Sequence, residues 1–198
     1  MNKSDKDIRF DKRAAKYDGF EGKVSERFYR LLLSQVQLKP GMRVLDAGCG
    51  TGTILRRMSD ICAVTGYGID SESAMVTQAK QKCPEMVIQQ SPCDATPFSD
   101  HSFEVITACM AYHHFADKKG FAKEAARILK PGGRLYIADP YFPLAVRAVL
   151  NGILRALRIT GRFYTPEEVA KDFSVPGFVP DEHARDGYAQ VIVLKLPG

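Results

Sequence analysis

From residue 43 onward, short apolar runs alternate with stretches whose apolar residues recur every three or four positions. That alternation predicts strands and helices in turn, the signature of a parallel sheet covered on both faces. Strands are expected over 43–46, 64–70, 86–89, 103–108 and 134–139, with helices over 54–58, 73–82 and 118–129. Ahead of them, Val24, Phe28, Leu31, Leu32 and Val36 fall at helical spacing, and Lys39-Pro40-Gly41 closes that helix. After residue 139 the regular alternation breaks. Residues 143–160 form an extra amphipathic helical pattern, with Arg147, Asn151, Arg155 and Arg158 on one face and Val146, Val149, Leu150, Ile153 and Leu157 on the other. Thr165-Pro166-Glu167-Glu168 then starts another helix, capped by Thr165 with proline in the first turn. Residues 177–196 read as two strands turning around 183–187, an antiparallel hairpin.

The length, 198 residues, suits one decorated domain with a core of its own. We expect a helical segment over 1–40, a ligand-binding core over 43–139, an inserted cap helix over 143–160, and a helix and hairpin over 165–198. Five cysteines, odd in number and without a CxxC, exclude a disulfide scaffold and a cysteine-based zinc site, and no metal is expected. The same cysteine usage, with no apolar run near bilayer length and no apolar stretch in the first 20 residues, leads us to expect a cytoplasmic protein.

The net charge of +5 is informative by location. Residues 1–43 carry 11 Lys and Arg against 6 Asp and Glu, whereas the remainder carries 17 of each. The excess is either a solvated helix face or a basic lip attracting an acidic ligand. No Lys/Arg-rich run with interleaved aromatics is present, so nucleic acid is not an expected partner.

Val44-Leu45-Asp46-Ala47-Gly48-Cys49-Gly50-Thr51-Gly52 carries the most chemistry. Glycines after a buried strand let the backbone turn sharply and let a ligand approach where a Cβ would collide. Asp70 ends the next strand, 18 residues past Gly52, where a carboxylate can accept from two ribose hydroxyls. Asp46 places negative charge where a dinucleotide's pyrophosphate would sit. Together with Thr53 in place of a further glycine, this disfavours NAD and favours a cationic nucleoside without phosphate.

These residues resemble the class I S-adenosylmethionine-dependent methyltransferases. The resemblance runs from residue 43 to about 139, through the glycine loop, Gly68-Ile69-Asp70 with Met75 and Ala79, Asp94-Ala95 with Pro97-Phe98, Ser102-Phe103-Glu104-Val105-Ile106, and Arg127-Ile128-Leu129-Lys130-Pro131-Gly132-Gly133. Phe10-Asp11 followed by Ala14, Tyr17 and Asp18 is similar to the N-terminal segment of the ubiquinone/menaquinone C-methyltransferase subgroup. The resemblance implies a Rossmann-like, doubly wound, mostly parallel seven-stranded α/β sheet with a C-terminal antiparallel hairpin. It further implies S-adenosylmethionine as cofactor, with S-adenosylhomocysteine as product. Gly48, Gly50 and Gly52 would cradle its methionyl part, Asp46 would lie near its amino group, and Asp70 would hold the ribose. Met75, Asp94 and Ala95 would meet the adenine, and Cys109 and Tyr17 would complete the contacts. Alone, Asp94 equally suits a turn cap and Met75 a helix core.

For the chemistry, His113 and His114 follow strand four and Asp139-Pro140-Tyr141 follows strand five, at the carboxyl ends where open α/β sheets bind ligands. Histidine is the side chain suited to accepting a proton near neutrality, and His113 and His114 are the candidate catalytic residues. The alternative is that they only shape the pocket. Cys109-Met110-Ala111-Tyr112 stands where enzymes that methylate nucleic-acid amines carry an Asn/Asp-Pro-Pro-Tyr motif. The expected function is methyl transfer to a small-molecule or lipophilic acceptor. The alternatives are a quinone-type carbon methyltransferase at the membrane surface and a non-catalytic module that only binds the cofactor. The helix over 143–160 is expected either as a lid packed on the body with its arginines in water, or as a peripheral contact with an anionic membrane.

Overall fold

A computed structural model describes residues 22–158 and 161–198. Seven strands lie in one sheet in the order β3-β2-β1-β4-β5-β7-β6. Strands β1 (Arg43–Ala47), β2 (Thr65–Asp70), β3 (Val87–Gln90), β4 (Phe103–Cys109) and β5 (Leu129–Pro140) run parallel. The pair β6 (Val179–Asp186) and β7 (Ala189–Lys195) adds the antiparallel edge. Helices α1 (Gly22–Gln35), α2 (Thr53–Ile61), α3 (Ser73–Lys82), α4 (Lys118–Ile128), α5 (Leu144–Ala156) and α6 (Pro166–Ser174) fill the connections.

The period-2 geometry of the strands divides the core into two layers. Leu45, Ile106, Leu135, Ile137 and Ile192 pack on one face with Phe121 of α4 and Phe173 of α6. Val44, Val105, Tyr136 and Val191 point to the other, against Leu32 of α1, Leu55 and Met58 of α2 and Val76 of α3. Strands covered on both faces are apolar at nearly every position, which is why β1 and β4 read as runs in the sequence.

Several boundaries differ from expectation. Helix α1 ends at Gln35, short of Lys39-Pro40-Gly41. Strand β3 sits one residue later than expected, and β5 is longer. Leu129 already pairs with Phe103, and an irregular register through Lys130-Pro131-Gly132-Gly133 rejoins β4 at Val105 opposite Arg134. Those four residues are therefore a bulge within the sheet and not a helix-closing loop. The hairpin turns at Gly187 and Tyr188, with Gly187 at φ +58°, while His183 lies inside β6 opposite Ile192. The Thr165 capping box with Glu168 is present as expected.

The largest correction concerns α5. Arg147 and Asn151 of its polar face turn inward and the aliphatic face turns outward, so the expectation of a lid with its arginines in water holds for Arg155 and Arg158 but not for Arg147. The Arg147 side chain, 12% exposed, pairs with Glu168. The Asn151 side-chain amide donates to the Phe163 carbonyl (3.1 Å) and accepts from the Phe163 N–H (2.9 Å). Leu144, Val149 and Leu157 are 74%, 63% and 64% exposed. The partners that decide which face points inward lie on the segment after the helix, where no periodicity of the helix itself can reveal them.

The Asn151 amide is thus a two-point clamp on α5. Asn151→Ala should cost about 1–3 kcal/mol of unfolding free energy, because two half-buried backbone groups lose their partners. Urea denaturation checks this, and a change within about 0.5 kcal/mol, typical of surface substitutions, would mean the clamp does not hold the helix.

Candidate functional site

Strands β1 and β4 are neighbours whose chain connections leave in opposite directions, so a crevice opens beyond their carboxyl ends. A cavity of about 560 Å³ occupies that crevice. Its floor is the loop between β1 and α2. Gly48 and Cys49 donate their N–H groups to the Ile69 carbonyl at 2.8 and 2.9 Å, which folds the loop over the end of β2. Gly48 and Gly50 have φ of +73° and +51°, in the left-handed region that favours glycine.

The two glycines serve different ends. A Cβ on Gly48 would stand 2.7 Å from that of Ala111, whereas nothing lies within 4 Å of a Cβ on Gly50. Gly50 therefore presents bare backbone to open space, a cradle that a side chain would fill. Gly52 does not line the cavity. It precedes α2 with φ +81°, and a Cβ there would press on Ala79 and Cys83, so it serves the packing of α2 on α3.

Of the other expected ligand contacts, Asp46, Asp70, Met75, Asp94 and Cys109 all line the cavity, and His114 does so among the histidines. Ala95 and His113 do not. Tyr17 lies outside the described residues, as do Phe10, Asp11, Ala14 and Asp18. The structure adds Tyr29, from α1, and Met110, whose φ of +54° is rare for a side chain of its size. Tyr29 belongs to a helix that reads in sequence only as amphipathic, and nothing in the sequence marks Met110 as strained.

Two carboxylates dominate the electrostatics. Asp46 is 1% exposed and accepts a 2.6 Å hydrogen bond from the Thr107 hydroxyl on β4. Burial pushes its carboxyl up to about 7; the Thr107 bond opposes this, and the nearby Asp70 charge adds to it. Asp70 is also raised by burial, against hydrogen bonds from backbone N–H groups. Its two oxygens accept from Gly50 and Glu72 at 2.9 Å each. The Ser71 N–H also reaches it, so of a carboxylate's roughly four lone-pair positions about one remains for a hydroxyl. Burial likewise holds the Cys49 and Cys109 thiols in the protonated form and pushes Cys93 up to about 12. These cysteines offer no thiolate nucleophile.

A second polar group stands at the next strand end. Asp139, at the end of β5, receives both the His113 backbone N–H (2.9 Å) and its Nδ1 (2.8 Å). Both residues are buried. Because a carboxylate only accepts, Nδ1 carries the hydrogen, and the lone pair of the ring resides on Nε2. The His113 ring lies 3.9 Å, centroid to centroid, from that of His114, which faces the cavity. The sequence places Asp139 at a ligand-binding strand end without giving it a role, and its bonds to His113 supply one.

Comparison with known proteins agrees with this geometry. The family model described as "Methyltransferase domain" matches residues 45–137. The demethylmenaquinone methyltransferase of Chlorobaculum parvum is 33% identical over 144 residues, 68% of this chain and 59% of the relative. The ubiquinone/menaquinone biosynthesis C-methyltransferase UbiE of Geotalea daltonii is 29% identical, over 87% of this chain and 77% of the relative. The chain thus spans about three-fifths of the first relative's length. Among solved structures, an S-adenosylmethionine-dependent methyltransferase from Aquifex aeolicus shares the fold with a TM-score of 0.75, at 21% identity over 94% of this chain and 98% of that one.

Asp46 binds its proton more tightly in the folded protein than in the unfolded chain. Its contribution is therefore present in full below the ordinary carboxylate range and is lost as pH rises through about 7. Asp46→Asn keeps an acceptor for Thr107 but cannot titrate. From pH 5 to 8 the wild type should lose roughly 3 kcal/mol relative to this variant, at about 1.4 kcal/mol per pKa unit. Urea melts of both proteins at matched pH measure the gap; a constant gap would place the Asp46 carboxyl back in the ordinary range.

Proposed function

The chain belongs to the class I S-adenosylmethionine-dependent methyltransferase family, and we propose that it transfers a methyl group to a small, lipophilic acceptor of the hydroquinone type. The observation that carries the reading is Asp46, a buried carboxylate beside a bare-backbone glycine loop. A charge in that position repels phosphate and attracts an ammonium or sulfonium group, which disfavours the dinucleotide that such loops otherwise hold.

The residues present fit the cofactor of this family. Asp46 would face its amino group, the Gly50 backbone would lie against its methionyl part, and the remaining acceptor capacity of Asp70 would face the ribose. Met75 and Asp94 line the cavity where the adenine would be held. When bound, the cofactor supplies an electrophilic methyl group on a sulfonium sulfur. The chain's part is to place the acceptor in line and to remove a proton. Positioning of this kind is worth roughly 7–11 kcal/mol. His114, which lines the cavity, is the proposed base for a phenolic proton, and His113, fixed by Asp139 with its ring 3.9 Å from that of His114, positions it. Asp139 is a positioning residue. The acceptor class rests on this base and on the quinone-related names of the relatives.

S-adenosylmethionine and S-adenosylhomocysteine should raise the melting temperature and NAD should not, since a ligand that binds only the native state stabilises it. Asp70→Ala should weaken cofactor binding by about 1–3 kcal/mol. With methyl-labelled cofactor and a short-chain demethylated hydroquinone, His114→Gln should lower kcat by about 10²–10⁴. Asp139→Asn should lower kcat while leaving KM and cofactor affinity unchanged. Cofactor binding without transfer to any hydroquinone would reduce the protein to a binding module or assign it another acceptor. A thermal shift with NAD alone would overturn the cofactor.

A further inference from the structure

Helix α5 and the segment after it enclose a second cleft, which shares no lining residue with the crevice at the strand ends. Its volume is about 650 Å³, within the roughly 300–1,000 Å³ of small-molecule sites. Arg147, Asn151 and Arg155, at intervals of four residues on one face of α5, form one wall. Gly161 and Arg162 form another, and Glu168 of α6 also lines the cleft. Side chains brace these walls against each other. The Asn151 amide holds both backbone groups of Phe163, and the Thr165 capping box fixes Glu168.

Positive charge is left over here. Between Asp139 and Glu167 the sequence has four arginines and no acid, and three of the four line the cleft. Among the described residues that line it, Glu168 is the one acid. That carboxylate is shared, one oxygen taking Arg147 and the other Arg162 at 3.1 Å. A guanidinium carries five N–H donors, so both arginines keep donors that Glu168 does not take. Arg155 has no hydrogen-bond or ion-pair partner among the described residues. Three guanidinium charges against one carboxylate leave two unmatched. A carboxylate ligand would neutralise one of them, whereas a phosphate dianion neutralises both and meets the planar forks of arginine with paired oxygens.

We propose that this cleft binds the phosphate group of a small molecule, a phosphate monoester or a diphosphate, with Arg155 as its principal ligand and the spare N–H groups of Arg147 and Arg162 completing the cradle. The cleft lies against the histidines of the active site. A Cβ on Gly161 would stand 3.4 Å from Nδ1 of His114, and the Arg162 N–H donates to the His113 carbonyl at 3.2 Å. A phosphate held here therefore belongs either to the acceptor, reaching past Gly161 toward His114, or to a separate ligand. The site itself rests on the arginines of the cleft and not on the hydroquinone reading.

Calorimetric titration of the full chain with inorganic diphosphate at low salt tests it. Binding should be equally tight with and without S-adenosylhomocysteine, since the two cavities have different linings. Arg155→Gln should weaken it by about tenfold or more, and Arg155→Lys should recover only part, because it keeps the charge and loses the fork. Arg158→Gln removes the same charge from the same end of α5 without touching the cleft, and should leave the affinity nearly unchanged. Glu168→Gln keeps a capping box, in which glutamine also serves, frees Arg147 and Arg162, and should tighten binding. Melting temperatures equal to the wild type's show that the arginine variants are folded. The proposal is overturned if the wild type does not bind diphosphate, if S-adenosylhomocysteine displaces it, or if Arg155→Gln and Arg158→Gln weaken it equally, the mark of general surface attraction. Binding is read without turnover, so an error in the acceptor leaves this test intact. In a methyl-transfer assay, diphosphate that raises the acceptor's KM assigns the phosphate to the acceptor, and an unchanged KM assigns it to a separate ligand; the site stands in both cases.

Discussion

Everything at the carboxyl edge of this sheet is arranged around a carboxylate that water barely reaches. Asp46 is 1% exposed, and its bond to Thr107 spans the two strands whose separation opens the crevice. A buried charge with one hydrogen bond is costly, and the group answers by holding its proton to about pH 7. Its field reaches the neighbours: it raises the thiols of Cys49, Cys93 and Cys109 further beyond what burial does. Asp70, the second acid of the cavity, pushes Asp46 in the same direction. Asp70 thus adds to the electrostatic strain of burying Asp46, which a cation would relieve. The apolar layers on both faces of the sheet hold that strain in place, since β1 cannot turn Asp46 outward without exposing Leu45 or Val44.

What the sequence disclosed and what it hid follow the range of the interactions involved. The alternation of strand and helix is legible because strands covered on both faces are apolar runs, whereas the order of the strands is not written in that pattern. Asp46, Gly48, Gly50 and Asp70 are legible because the loop and the following strand end are local devices, set by backbone conformation and by position along the strand. Gly52 shares their pattern but answers to Ala79 and Cys83, some thirty residues away, and so its packing role is invisible in the motif. The bulge at Lys130-Pro131-Gly132-Gly133 looks like a loop because its sequence is a turn sequence, and pairing with β4 overrides it. The orientation of α5 is the extreme case. Amphipathicity says that a helix has two faces, and only the chance meeting of Asn151 with Phe163 and of Arg147 with Glu168 says which one is inside.

The segment after β4 shows how a strained loop is kept. Met110 has a left-handed backbone without being glycine, an arrangement that survives only where surroundings over-determine it. They do so here by tying the segment to the next strand. The Met110 N–H reaches the Ala138 carbonyl at 2.8 Å, and His113 reaches Asp139 through two nitrogens. Tyr112, fully buried between them in sequence, anchors the turn to Asp172 of α6 through its hydroxyl. The strand end that carries the proposed base is thus fixed to β5 and α6 independently of whatever fills the cavity beside it.

The two ends of the cleft consequently belong to different parts of the chain. The acids and glycines that suit a cationic nucleoside come from β1, β2 and the loop between β1 and α2, all inside the segment that the methyltransferase model matches. That match ends at Ile137, two residues before Asp139, and α5 lies wholly beyond it. A family that shares one methyl donor needs the first set unchanged, whereas acceptors differ, and the elements free to differ are those after β5. Asp139, the polar clamp of α5 and its outward aliphatic stripe all fall there. On this division, the part of the chain that holds the donor is set by the demands of one ligand. The part after residue 137 carries Asp139 and α5, the elements on which a choice of acceptor would draw.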